Sequence, residues 1–383
     1  MLRLILGTFL LGAISACGSS PTPQDAFVTK LGNDTLAVET FEKTATGMNA
    51  KVMLRSPKTS LKSYQLIMDN EGGIQQMTTV SHAPELGFSD EGSVIQTVVR
   101  EGDSLKVETE TNNGLRTRKV AYKSGTLPFI DMVHWPFELG LQAAKASGQD
   151  TLHQYLLSGN NISDFIIARI GQDSMTIRHP SRGVMGVDVD KVGNLKQLDA
   201  GLTTRKLIVY RESNVDIDGI SKRFAQLDQK GNSFGSLSGA EVAEAKVHNA
   251  DIRIEYGSPH KRNRAIFGGI VGWGQLWRTG ANRATHFSTS KDLKIGSVKV
   301  PAGEYTLYSI PEADGGLLII NKQTGQTGTT YNQANDLARI PMKISKQDEV
   351  TEVFTIKAEE DGKNGVLKLI WDQTVFSVNF SVQ

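Results

Sequence analysis

The sequence predicts a mainly β protein. An antiparallel β-sheet or half-barrel-like N-terminal domain with a short helical insert is followed by a C-terminal β-sandwich or jelly-roll-like domain. Three observations lead there. Apolar and polar residues alternate at period two over long stretches, as in Met48, Ala50, Val52 and Leu54, which is how a strand buries one face. The 38 glycines and the turn pairs break these runs at short spacing. Helical spacing, by contrast, is confined to a few segments. At 383 residues the chain is long enough for two domains and a connector.

The chain opens "MLRLILGTFLLGAISACGSS". Arg3 supplies a short positive region, and the apolar run over 4–14 is shorter than the ~20 residues of a membrane-spanning helix. Small residues then precede Cys17, the only cysteine. This resembles a bacterial lipobox, which implies a signal peptide over 1–16, lipidation at Cys17 and a polar tether over 17–30. An ordinary secretory signal is the alternative. Gly18 after the cysteine, where a retention signal would carry aspartate, points to the outer membrane of the cell envelope, facing the periplasm. A single cysteine excludes an internal disulfide framework and a cysteine-based zinc site.

The first domain is expected over 31–213. Asn113-Gly114 marks a hairpin, because both residues tolerate positive φ. Further turns fall at Gly102-Asp103, Gly171-Gln172-Asp173 and Val192-Gly193-Asn194. Between two sets of strands, Phe137, Leu141 and Ala144 repeat at helical spacing behind Pro136, and Leu152, Tyr155 and Leu156 suggest a second short helix. A curved sheet of this kind either holds an acyl chain or is filled by its own side chains; filling is the expectation. Asp188 and Asp190, with Asp199, read as a solvated strand face rather than a cation site. His134, His153 and His179 lack ligand spacing, so no metal is expected.

A connector follows over 214–244. Asp216 or Asp218 caps a helix whose apolar stripe is Ile220, Phe224 and Leu227. Phe234, in the glycine- and serine-rich loop after it, is a candidate stitch between domains.

The second domain is expected over 245–383. Ile252, Ile254 and Tyr256 alternate inward, Pro301-Ala302-Gly303 turns into another strand, and Leu367, Leu369 and Trp371 share a face. Ordered landmarks run through it: Tyr256-Gly257-Ser258-Pro259, Arg264-Ala265-Ile266-Phe267-Gly268, Trp277-Arg278-Thr279-Gly280-Ala281-Asn282, Pro301 to Leu307, and Asn321-Lys322 with Gly325-Gln326 and Gly328-Thr329. On these, the region from Ile252 to about Val382 resembles the DUF2911 family, bacterial domains of unknown function. The resemblance implies no activity. It departs from the family pattern at Thr327, where tryptophan is common, and at Arg283, where the residue is usually small or acidic.

The candidate site is "GQLWRTGANRATHFSTS". Arg278 can meet backbone carbonyls or an anion, and Asn282 can satisfy backbone or ligand. With His286, Tyr256 and Trp277, and with Lys261 and Arg262 nearby, they are expected to form a ligand-binding pocket for a carboxylate, phosphate or sugar. Tying turns together is the competing role. No nucleophile elbow, phosphate-cradling loop or H-E-x-x-H helix is read in the chain, and no catalytic residue or cofactor is assigned. A His286–Asp292 acid-base pair lacks a nucleophile. Lys and Arg number 42 against 41 acids, for a net +1, so nucleic acid is not an expected partner. The leading expectation is a lipid-anchored envelope protein that binds a lipid, a glycan or another envelope protein. A structural assembly protein would show an exposed sheet edge in place of a pocket, and a hydrolase would show titrating groups converging on a cleft.

Overall fold

The computed structural model describes residues 24–328 and 330–383; Cys17 and the leader lie outside the described residues. The chain is mainly β. No helix among the described residues is long and apolar enough to cross a membrane.

The N-terminal half forms one 15-stranded sheet. One antiparallel meander runs from Asp25–Leu31 out to Gly114–Ala121, and another from Thr151–Ser158 to Ile208–Ser213. They join where Asp25–Leu31 pairs with Ile208–Ser213. Residues 25–30, expected in the tether, therefore sit in a central strand paired on both sides. The segment Leu152–Leu156, expected as a helix, is part of the strand Thr151–Ser158. Gly159-Asn160 closes a two-residue hairpin that pairs Ser158 with Asn161 and extends to Thr151 with Ala168. Three apolar residues at helical spacing were outweighed by eight ladder pairs.

The expected helix is present as α1, Trp135–Ser147, with Pro136 in its first turn and Gly148 ending it in the left-handed conformation. The sheet curls around it. Trp135 and Leu141 are fully buried and share one core with Phe27, Phe41, Phe165 and Ile177. Two buried acids hold α1 there. Glu39, on Asp34–Lys43, accepts from the backbone N–H of His134 (2.9 Å) and of Trp135 (3.0 Å), and from His134 Nδ1 (3.0 Å). A carboxylate at a helix N-terminus satisfies orphan donors and faces the positive end of the dipole. Glu138 pairs with Arg211 and accepts from Leu195 N–H. Its burial raises the carboxyl pKa, against the opposing pull of Arg211. The concavity is thus filled by the protein's own side chains. Beside His134 and His179 only about 30 Å³ remains, room for about one water.

The second helix, α2, spans Ile217–Gln229 and is capped by Asp216, which accepts from Gly219 N–H. Phe224 and Ile217 pack on the outer face of the sheet against Val38, Met53 and Leu61.

The C-terminal half has a six-stranded and a four-stranded sheet sharing one core, with Trp371, Phe354 and Phe376 buried in it. Its first strand is Ser238–Val247, and its last, Asn364–Val382, pairs with Leu293–Ile295 and ties down the chain end. The halves meet at Arg262. Its guanidinium lies 3.8 Å over the Phe234 ring and donates to the Phe234 carbonyl at 2.8 Å. Phe234 belongs to the first core, so it does stitch the two halves. Gly32, at φ +61°, permits this approach: a Cβ there would stand 2.1 Å from the Arg262 carbonyl oxygen.

Candidate functional site

The loop from Trp277 to Asn282 is fastened at both ends. Trp277 exchanges backbone hydrogen bonds with Ser309, at 2.7 and 2.8 Å, and its indole N–H donates to the Gly280 carbonyl. Its ring stacks near-parallel on Trp371. Ala281 N–H donates to the Gly257 carbonyl, and a Cβ on Gly257 would fall 1.9 Å from the Ala281 oxygen. That glycine is therefore required by close approach. Thr279 and Asn282 adopt left-handed backbone, φ +54° and +61°. For a β-branched residue this is strained, and it is held by packing and hydrogen bonds. Thr279 is fully buried, its hydroxyl 2.9 Å from Ser309 Oγ and its carbonyl accepting from Thr285.

So fastened, the loop forms one wall of a cleft of about 730 Å³ between the two halves. The opposite wall is the segment around Leu202 and Lys206 of the first half. The cleft lining includes Arg182, Arg205, Lys206, Arg264 and Arg278 and no Asp or Glu. Arg182 and Arg205 both pair with the single carboxylate of Asp131, which leaves one net positive charge there. The other three have no acid partner among the described residues. Among the described residues Arg278 donates only to the Asn282 carbonyl (3.2 Å), Lys206 to that of Gly201, and Arg264 to those of His260 and Lys261. All three are half-buried. Burial lowers the pKa of each; for Arg264, with Arg262 adding repulsion, it is held down to about 10. Asp199 offsets part of this at Lys206, and Glu352 and Asp34 at Arg264, whereas desolvation alone acts on Arg278, so a bound anion would most relieve Arg278.

The expected site residues are only partly brought together. Trp277, Arg278 and Asn282 line the cleft. Tyr256 does not: it is buried against Phe354, and its hydroxyl accepts from Ile356 N–H. The inward alternation of its strand already placed it in the core. His286 lines a different groove, with Arg253, Glu255 and Glu304. Asp292 pairs with Lys299 and accepts from Ala302 N–H, so it forms no couple with His286. Lys261 pairs with Asp372, and Arg262 is the stitch described above. Lys206 and Arg264 were not anticipated. Lys206 stands 72 positions before Arg278 and reaches the cleft only because the two halves dock; Arg264, 14 positions before Arg278, lies in the same half and is brought there by the folding of its own loops.

The acid Asp190 is accounted for locally. Asp190 serves a turn, accepting from Val192 and Asn194 N–H, which lowers its pKa against the effect of desolvation. Among the described residues no group of His, Cys, Asp and Glu could hold a metal. Residues 231–235 do spell G-x-S-x-G, but they follow α2 and precede a strand. A nucleophile elbow runs from strand to helix, so this loop is not one.

Residues 238–380 match the family model DUF2911, described as a protein of unknown function. No curated protein matches the chain. Among solved structures, a DUF1089 family protein from Pseudomonas aeruginosa is similar at 11% identity and a TM-score of 0.31, covering 43% of this chain and 90% of that one. A β-barrel-like protein of domain family DUF1849 from Brucella abortus is similar at 11% identity and a TM-score of 0.30, covering 50% of this chain and 95% of that one.

Proposed function

We propose that this protein binds an anionic ligand, one bearing a carboxylate or phosphate, in the cleft between its halves, and that it does so as a lipoprotein anchored through Cys17 in the bacterial cell envelope. One observation carries the binding reading: Lys206, Arg264 and Arg278 converge on a cleft with no acidic lining residue. Arg278 has donors to spare, and Asn282 beside it adds an amide. Leu202, Leu276 and Trp277 give the same cleft apolar surface, which suits an anion attached to a larger body such as a lipid or an acidic glycan. The anchor reading rests on the first seventeen residues and their resemblance to a lipobox.

Native mass spectrometry tests the binding. The chain from Gly18 onward is directed to the periplasm, purified gently and weighed. A bound small molecule, absent from Arg278→Ala, supports the proposal, and its mass separates a lipid from a glycan. A bare chain that also gains no mass with millimolar inorganic phosphate or citrate contradicts it.

A further inference from the structure

Ser63, His82 and Asp90 lie outside the cleft, on the outer face of the N-terminal sheet. Period-two alternation places Ser63, on Ser60–Met68, and His82, on Ile74–His82, on that face. Ser63 pairs with Val80, so His82 is its diagonal neighbour. Ser63 Oγ is 2.8 Å from His82 Nε2, and His82 Nδ1 is 2.9 Å from Asp90 Oδ1. The Asp90 carboxylate can only accept, so Nδ1 carries the proton and Nε2 is free to accept from the serine hydroxyl. We propose that Ser63, His82 and Asp90 are a serine-hydrolase triad acting on short-chain carboxylic esters of polar alcohols.

The surroundings position these groups. The loop after His82 folds back over it, with the Phe88 ring edge-on to the imidazole. Phe88 N–H donates to Asp218 of α2, which anchors the loop to that helix. Gly92 closes the loop at φ +66°, where a Cβ would stand 2.8 Å from His82 Nδ1. His82's hydrogen bond keeps the Asp90 carboxyl below the usual range and hence ionised.

Ser63 lines a groove of about 350 Å³. A cross-strand row runs Thr40, Lys51, Ser63, so a cation is the serine's direct neighbour. Thr40 is 1% exposed, lines the same groove, and its Oγ has no hydrogen-bond partner among the described residues. Lys51, one strand from Ser63, is the donor available to a developing oxyanion; Thr40, two strands away and buried, lies too far from Ser63 to reach it. Glu42, Asn49 and Gln65 make the rim polar, which favours a short acyl group on a hydrophilic alcohol over a long-chain lipid.

In the reaction, Ser63 Oγ bonds to the ester carbonyl carbon as its proton passes to His82 Nε2. The carbon–oxygen bond to the alcohol breaks, and the alcohol leaves with that proton. Water then attacks the acyl-serine with His82 again as base, releasing the acid and restoring Ser63. Asp90 acts as a positioning residue.

The full chain in detergent is treated with a fluorophosphonate probe, and the adduct is mapped by peptide mass. The expected result is modification at Ser63, slowed at least ~100-fold in His82→Gln and in Asp90→Asn, with Asp90→Glu recovering part of the rate. Hydrolysis of p-nitrophenyl acetate should be lost in Ser63→Ala. Wild-type protein with native circular dichroism that stays unmodified at Ser63 overturns the proposal, as does labelling of His82→Gln at the wild-type rate.

Discussion

Replacing Glu39 by alanine should cost more stability than any surface change in the N-terminal half. The carboxylate is fully buried and receives three donors from the start of α1: the N–H groups of His134 and Trp135 and the ring of His134. Alanine leaves the N–H groups of His134 and Trp135 without an acceptor and the His134 ring with only the Thr29 hydroxyl, at 3.3 Å. At about 1–3 kcal/mol for each orphaned buried donor, with Thr29 taking up part of the loss at His134, the total is about 3–5 kcal/mol. For a unit of this size that lowers Tm by about 8–16 °C. Glu39→Gln keeps an acceptor oxygen for the helix and loses chiefly the charge, so it should cost about half as much. Scanning calorimetry, with near-ultraviolet circular dichroism reporting on the buried Trp135, measures both. A loss below about 1 kcal/mol for alanine, or equal losses for the two variants, would refute the view that this acid seats α1 in the sheet.

Other perturbations probe the remaining contacts. Gly257→Ala should push the Trp277–Asn282 loop off its strand, because its Cβ would stand 1.9 Å from the Ala281 carbonyl oxygen; a stability loss of at least ~2 kcal/mol in urea melts is expected. Arg262→Ala should loosen the two halves by about 2–3 kcal/mol, seen as faster proteolysis in the loop around Phe234. His179 is held down to about 4 by burial and by Arg182, below its ordinary 6.5. Between those values the unfolded chain binds the proton and the folded one does not. Stability is therefore full above pH 6.5 and falls as pH drops toward 4, and His179→Phe should flatten that slope in urea melts.

The β character was readable because alternation is local: each strand carries its own record of which face is buried. The start of α2 was readable too, since Asp216 caps it from one residue away. Thr151–Ser158 was misread because Leu152, Tyr155 and Leu156 satisfy a helical spacing, whereas its pairing with Asn161–Arg169 depends on a hairpin that spacing does not register. The site was half legible. Trp277, Arg278 and Asn282 fall within one six-residue stretch, so a loop rich in specific polar groups was visible as such. Lys206 joins them only because Gly32 lets the halves come close, and nothing in the sequence around Lys206 marks that contact. Ser63, His82 and Asp90 escaped notice for the same reason. Strand register makes the first two neighbours, and a loop pinned by α2 returns the third.

Isothermal titration of the soluble chain with inorganic phosphate and with citrate tests the central claim, that the interdomain cleft is an anion site. Saturable binding is predicted, weakened about 10-fold or more by Arg278→Ala and likewise by Lys206→Ala from the opposite wall, and reduced by added salt. Binding left unchanged by both substitutions, or no binding at millimolar ligand and low salt, would contradict it.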